Sequence, residues 1–476
     1  MTTSTRLDHF RTALAHPATG TAWRNSMSIR PADALLGPAV KVGVAATLVL
    51  VAGGVMGHEQ LAGIAALGAL TSAFGRYQPY RRQGQQLVLV AAALLAATAM
   101  GAILGAAGTA LAVQIALLSL MAGVASHFFS AFRITGPGPV ILVFAASAGA
   151  GFAKSFADIP PVLAAVGMGA AIGWLVAVAP VVLVPMGPAR LATARAIAAV
   201  VRLEKDDDGT HRGAAAAALG NARQSIALSI RGWTGRPPRA NELRSQAARL
   251  NELLDEAESA MALIGTTDSP ATLSHLARHE GQLRKIRGTV GVPAPAAGSR
   301  DTAKASSFLS TGLAGFGSRN SLNQGLRMAA AAALSGWVAI ALGLGHPLWA
   351  SMGAVAALQG LNYSMTVQRG IQRLVGNVLG ALVAVALLSL ALGFWPSVAM
   401  VVVFQVLAEL LVLRNYTLTT IAVTPMALIM TGLGSHLGPE AAMTRVADTL
   451  VGVVIGVLVA AVSISLADKA HLKTSN

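Results

Sequence analysis

The 476-residue chain contains no cysteine, which excludes disulfides, thiolate metal sites and cysteine nucleophiles and leaves the redox compartment open. Charge is scarce as well. Only 12% of the residues are Asp, Glu, Lys or Arg against 54% hydrophobic, and mean hydropathy is +0.62. Long Ala, Val, Leu and Gly runs of this kind exceed what a water-soluble domain needs, so composition places the chain in a lipid bilayer. The first 30 residues are polar, carry Arg6, Arg11, Arg24 and Arg30, and show no short apolar core with a small-residue cleavage site, so no removable signal peptide is expected. Around Lys154 the stretch Ala150-Gly151-Phe152-Ala153-Lys154-Ser155 has Ala148 and Ala153 where a phosphate-binding loop requires glycines. Neither a nucleotide site nor an ATP-driven pump is expected. With no nucleophile elbow, no HExxH and no carboxylate pair suited to hydrolysis, the reading is a non-enzyme without a cofactor or metal.

What is present is a membrane unit written twice. At an offset of 288, Gly57-His58 falls on Gly345-His346, Ala62 on Ala350, Ala66 on Ala354, Leu70 on Leu358 and Arg81 on Arg369. At an offset of 283, Gly169, Ile172, Gly173, Leu175, Val176 and Ala177 fall on Gly452, Ile455, Gly456, Leu458, Val459 and Ala460. Apolar stretches lie near 38–56, 61–75, 86–106, 109–127, 138–153 and 162–184, and again near 327–343, 348–361, 374–393, 396–413, 418–433 and 446–467. The second and fifth of each six are short. At 1.5 Å per residue they reach roughly 21 to 24 Å against a hydrocarbon core of about 30 Å, and short segments at matching places point to a substrate site. On twelve crossings, 33 of the 35 Lys and Arg fall on one side, with Lys154 and Arg445 opposite. That side is the cytoplasm. Both termini and the central polar block are expected there, six crossings return the chain to the same side, and the repeats are therefore parallel. The net charge of +15 is mostly this orientation signal, so no nucleic-acid partner is expected.

The expected organisation is a cytoplasmic N-terminal segment (1–32), a first membrane half (33–187), a cytoplasmic helical bundle (188–288), a flexible linker (289–324), a second membrane half (325–468) and a cytoplasmic tail (469–476). In the bundle, Leu243, Ala247, Leu250, Leu253 and Leu254 follow helical spacing, and breaks at 206–209, 235–238 and 267–270 leave room for about four helices. His275 and His279 stand one turn apart beside Glu280, too few ligands for a metal site.

Within the membrane halves, Gly169-x-x-x-Gly173, Gly376-x-x-x-Gly380 and Gly452-x-x-x-Gly456 favour close helix packing. Glu409, inside Val406 to Val412, must be neutral, paired or facing water. It reads either as a proton-coupling site or as an ion pair with a basic group such as Arg414. Arg445 and Asp448, three residues apart, read as a structural pair along one helix face. His58 and His346 occupy equivalent outer positions and read as interfacial turn groups. Arg81 and Arg369, with Arg133 and Arg414 in later loops, would line an inner vestibule that concentrates organic anions, although orientation alone also places cations there.

The second half resembles the fusaric acid resistance or aromatic acid exporter type of integral membrane transporter. The resemblance is carried by Gly345-His346-Pro347-Leu348-Trp349-Ala350, by Gln368-Arg369-Gly370-Ile371-Gln372-Arg373 through Asn377 and Gly380, by Glu409 with Arg414-Asn415-Tyr416, by Thr424-Pro425, and by Arg445 through Asp448 to Gly452. It covers residues 320 to 468 well and 33 to 185 weakly, where Leu61 replaces the tryptophan and Arg81-Arg82 the arginine-glycine pair. It implies export of aromatic or other small organic anions across the plasma membrane by secondary transport. Residue reading and resemblance together make Glu409, Arg81, Arg369, Arg373, Arg414, Asn415 and Tyr416 the candidate transport residues. A passive organic-anion channel and a non-transporting scaffold acting through the bundle are the alternatives, and homo-oligomerisation is left open. The fold expected is all-α, with about twelve membrane helices in two parallel six-helix repeats and a cytoplasmic helical domain between them.

Overall fold

The computed structural model describes residues 3–31, 35–203, 209–230, 237–264, 269–285, 307–360, 362–433, 438–465 and 468–469. Among the described residues it holds nineteen α-helices and no strand. Two short helices, α1 (Thr3–Ala15) and α2 (Gly20–Met27), lead into a group of six: α3 (Leu36–Val55), α4 (Glu59–Ala69), α5 (Tyr80–Ala106), α6 (Leu111–Ala131), α7 (Val140–Phe152) and α8 (Ile159–Val178). Four more follow, α9 (Gly187–Leu203), α10 (Gly209–Ile230), α11 (Pro237–Leu263) and α12 (Ser269–Leu283). After α13 (Phe308–Gly315) comes a second six: α14 (Arg319–Ala341), α15 (Pro347–Ala357), α16 (Tyr363–Ser389), α17 (Phe394–Leu411), α18 (Tyr416–Gly432) and α19 (Glu440–Val462).

Each of the twelve expected apolar stretches falls on one of the helices in the two sixes. Seven are long and apolar enough to cross a membrane: α3, α5, α6, α8 with its flanking turns, α16, α17 and α19. The helices α7, α15 and α18 are apolar but shorter. α4 has 11 residues, and α14 opens on polar turns holding Arg319, Asn320, Asn323, Gln324 and Arg327, which dilute its hydropathy. The outward faces state the solvent. Leu36, Val40, Val44, Leu48, Val51 and Val55 form an exposed stripe along α3, Val113, Leu117, Leu120 and Val124 another along α6, and Leu450, Val454, Leu458 and Val462 a third along α19. Apolar stripes of that length are matched by lipid, not water. The chain is a multi-pass membrane protein.

The chain divides into two compact units, Met1–Phe74 with Leu87–Ala177 and Thr311–Asn476, and Gly75–Gln86 with Val178–Ser310. In the first unit the two sixes cross over reciprocally. α3 packs on α17 and α14 on α6, while α4 packs on α18 and α15 on α7. Small residues allow the approach. A Cβ at Gly169 or Gly173 would collide with the backbone of Ala65 or Ala69 on α4, one at Gly452 with the backbone of Ala350 on α15, and one at Gly456 would be tight against Ala354. Gly376 and Gly380 of α16 lie likewise against Thr417, Thr420 and Thr424 of α18. Asparagines start two of these helices: the Asn362 side chain accepts from the Met365 amide (2.8 Å) at the head of α16, and Asn415 from the Thr417 amide (2.7 Å) at the head of α18.

The N-terminal segment is packed against this unit. Tyr363 Oη donates to the Ala13 carbonyl (2.7 Å) and Gln372 Nε2 to the Ser26 carbonyl (2.7 Å). The expected flexible linker is narrower than its composition suggests. Residues 289–306 lie outside the described residues, but α13 occupies 308–315 and α14 begins at Arg319. Gly312 and Gly315 fit closely against Phe132 and Ala131 at the end of α6, and Phe316 stacks edgewise on His127 and Phe132. These tertiary interactions override the Gly/Ser/Ala signal for a loop.

In the second unit α9 to α12 share one apolar core that includes Ile197, Leu219, Leu250, Leu254 and Leu276. Asn241 lies inside α11, which starts at Pro237. Arg223 of α10 donates to Asp255 (2.8 Å) and Glu258 of α11.

Candidate functional site

Two arginines meet one tyrosine in the first unit, and a third lies over a nearby tryptophan. Arg369 and Arg373 lie four residues apart on α16, one helical turn, and so share a face. The helix packs on α18, whose first residue is Tyr416. Arg373 Nη1 donates to Tyr416 Oη (3.1 Å), and the Arg369 guanidinium lies over the Tyr416 ring, 4.4 Å from its centroid. Arg369 also donates to Gln359 Oε1 (3.0 Å) and the Ala356 carbonyl (3.2 Å), which ties it to the end of α15. The third arginine arrives from α19. Arg445 lies over the Trp349 ring of α15 at 4.9 Å, and its charge is felt with that of Arg373. His346 stacks on the same tryptophan, centroids 4.3 Å apart and planes 13° from parallel.

Arg369 and Tyr416 are half-buried, and the rest of the cluster is deeply buried and incompletely hydrogen-bonded. Arg373 is 9% exposed, Arg445 7% and Asp448 0%. The Nε atoms of Arg373 and Arg445, the amide nitrogens of Asn377 and Gln359, and both carboxylate oxygens of Asp448 have no hydrogen-bond partner. The His346 backbone N–H approaches Asp448 without reaching hydrogen-bond geometry. One turn beyond Arg373, Asn377 Oδ1 accepts from Thr424 Oγ1 of α18 (2.7 Å). Buried polar groups are ordinarily satisfied, so the unpaired ones gathered here make this cluster the candidate site. The chemistry available is capture of an anion by convergent N–H donors beside aromatic rings.

Of the sequence candidates, Arg369, Arg373 and Tyr416 are brought together, and Arg445 with Asp448 stands at the edge of the same cluster. Asn415 is committed elsewhere: its amide nitrogen donates to the carbonyls of Ser26 and Ser28, both at 3.0 Å, so it fastens the N-terminal segment. Arg414 is exposed, and its carbonyl accepts from the Arg30 amide (3.0 Å). Glu409 is 5% exposed on α17, a helix that packs on α3 and α18. Arg81 is exposed and belongs to the other compact unit. Sequence reasoning missed Gln359 and the Asn377–Thr424 bond, and it gave Arg445 to Asp448 rather than to Trp349. The available signal was the polar run Arg369, Arg373, Asn377 at four-residue spacing on an otherwise apolar helix.

In the second unit His275 Nδ1 lies 2.9 Å from Glu256 Oε1, and His279 Nε2 lies 3.2 Å from His275 Nε2. Burial, and then the neighbouring His275, hold the His279 imidazole below its ordinary pKa. No group of three or more metal-ligating side chains occurs among the described residues.

Fold and site together define a helical multi-pass membrane protein with a buried cationic cluster in its second six. Residues 331–459 match the family model described as fusaric acid resistance protein-like. The chain is also 34% identical over 123 residues to "Uncharacterized membrane protein YvaC" of Bacillus subtilis (strain 168), a match covering 25% of this chain and 19% of that protein. The chain thus spans about a fifth of the length of this curated relative. No solved structure matches it.

Proposed function

We propose that this protein is a secondary transporter that exports aromatic or other small organic anions across the plasma membrane. The observation that carries the reading is the cluster of Arg369, Arg373 and Arg445 around Tyr416 and Trp349, in which Arg373 and Arg445 are buried and each keeps an unpaired Nε–H. Such donors bind a carboxylate, and the two rings suit an aromatic body. The match of residues 331–459 to a fusaric acid resistance protein-like family supports the same ligand class.

The reciprocal packing of α3 on α17 with α14 on α6, and of α4 on α18 with α15 on α7, supports two parallel six-helix halves related by a pseudo-two-fold axis, with twelve crossings and both termini cytoplasmic. In that arrangement the short helices meet where the halves face each other. The second half carries the chemistry and the first completes the pathway. Glu409 remains a candidate for proton coupling, as a buried carboxylate within a spanning helix.

The test is flux of benzoate from liposomes holding the full-length protein. Saturable efflux that falls at least about tenfold in Arg373→Ala is expected. Flux linear in benzoate and driven by voltage alone would make the protein a passive anion channel. Flux no greater than from protein-free liposomes, with the protein shown folded, would leave the scaffold reading.

A further inference from the structure

Asp448 is a fully buried carboxylate of the first unit. It lies within α19, is 0% exposed, and neither carboxylate oxygen has a hydrogen-bond partner. An ionised carboxylate in that condition loses its hydration without replacement, a cost of several kcal/mol. Arg445, one turn away, attracts it but turns its guanidinium onto the Trp349 ring instead of closing an ion pair. The other charged or titratable groups around α19 are accounted for. His346, ahead of α15, stacks on Trp349; Arg373 of α16 acts on Arg445 and holds Tyr416; Arg369 of α16 lies over the Tyr416 ring; and Arg327 of α14 feels Asp468.

We infer that Asp448 is the proton-binding residue of the anion site: it takes up one proton when an aromatic anion binds to Arg445 and Arg373, so that proton and anion bind together. This rests on the transport-site reading above and names its regulation. The sign follows from the charges. Deprotonated, Asp448 neutralises part of the field of Arg445 and repels an incoming anion. Protonated, it is neutral, its burial no longer costs ion desolvation, and the full charge of the two arginines faces the ligand. Linkage then requires that anion binding raise the proton affinity of Asp448 by the same factor that protonation raises anion affinity. Asp448 acts through Arg445 and is a positioning residue. Glu409, on α17, belongs to a different helix interface and is not part of this exchange.

The test uses the full-length protein in detergent and benzenesulfonate as probe, because a sulfonate stays ionised throughout, with neutral benzenesulfonamide as control. Wild-type affinity for benzenesulfonate is expected to rise at least about fivefold from pH 8 to about pH 5.5, with net proton uptake on binding inside that range, while the sulfonamide shows neither. Asp448→Asn should bind benzenesulfonate as tightly as wild type at low pH, independently of pH. Asp448→Glu should restore the dependence, and Glu409→Gln should leave it unchanged. A pH dependence that survives in Asp448→Asn, or that vanishes in Glu409→Gln, overturns the inference and leaves the transport site standing. Should Asp448→Asn be unstable, proton uptake by wild type on binding decides alone: none means the inference is wrong. Absence of benzenesulfonate binding to wild type at every pH removes the anion site itself, and the inference with it.

Discussion

At the scale of single residues, Arg373 is the group on which the site turns. One of its nitrogens holds the Tyr416 hydroxyl while Nε stays unpaired, so the guanidinium can anchor to the protein and still present a donor. Lysine has three donors, but all on one compact nitrogen, and lacks the planar fork that directs separate donors to the hydroxyl and to a ligand. Arg373→Lys is therefore expected to weaken benzoate binding about tenfold, as measured by titration calorimetry of the detergent-solubilised protein. Tyr416→Phe keeps the ring under Arg369 and loses only the hydroxyl, so a smaller loss, about threefold, is expected. The identities of these residues were legible in sequence, since Arg369, Arg373 and Tyr416 stand in the stretches that resemble the transporter family. The company of Arg445 was not. A spacing of three on one helix suggests a pair with Asp448, and only the position of α15 shows Trp349 taking the guanidinium.

A second residue-scale expectation concerns the bundle of α9 to α12. His279 has its proton affinity lowered by burial and by His275, so the unfolded chain binds that proton more readily than the folded one. The contribution of His279 is complete above the ordinary histidine value of about 6.5 and is lost as pH falls through the window below it. Amide exchange in α11 and α12, corrected for intrinsic rates, should accelerate as pH drops from about 7.5 to about 5.5. In His279→Gln that acceleration should shrink. An unchanged acceleration would place the acid-sensitive group elsewhere.

At the scale of elements, the glycine ridges of α8 and α19 carry the packing of the short helices. Both lie against carbonyl groups of α4 or α15, positions from which a side chain could escape only by moving a helix. Gly169→Leu and Gly452→Leu should each lower thermal stability in detergent by several degrees or prevent folding, because overpacking a close helix contact costs typically 1–3 kcal/mol or more. If the halves are equivalent, the two variants will suffer alike. A large loss in one and none in the other would contradict equivalent packing. Apolar runs announced the twelve helices of the two sixes, since their length and composition are local properties. Two other features were illegible for the same reason. α13 falls in a stretch rich in Gly, Ser and Ala, yet Phe132 and Phe316 pack it in place. The N-terminal segment reads only as polar, yet Tyr363, Gln372 and Asn415 fasten it through its backbone carbonyls, which no side-chain pattern encodes.

At the scale of the whole molecule, helix length and charge distribution give different crossing counts, and one loop separates them. If only the seven long apolar helices cross, α4 and α7 do not, and the turn between α5 and α6 lies on the cytoplasmic side. If all twelve cross, that turn is extracytoplasmic, and 33 of the 35 Lys and Arg share the cytoplasm. The natural absence of cysteine makes the measurement direct, because a single introduced thiol is the only one present. Ala107 is exposed in the turn after α5, and Ala216 is exposed on α10, which both counts place in the cytoplasm. In intact cells, a membrane-impermeant maleimide should label Ala107→Cys and spare Ala216→Cys until the membrane is opened. Protection of both would favour seven crossings, would put the C-terminus outside, and would break the parallel repeat on which a shared pathway between the halves depends. The twelve-crossing result is expected, because helices shorter than the bilayer are tolerated where they are enclosed by protein, and α4, α7, α15 and α18 are packed against one another across the two sixes.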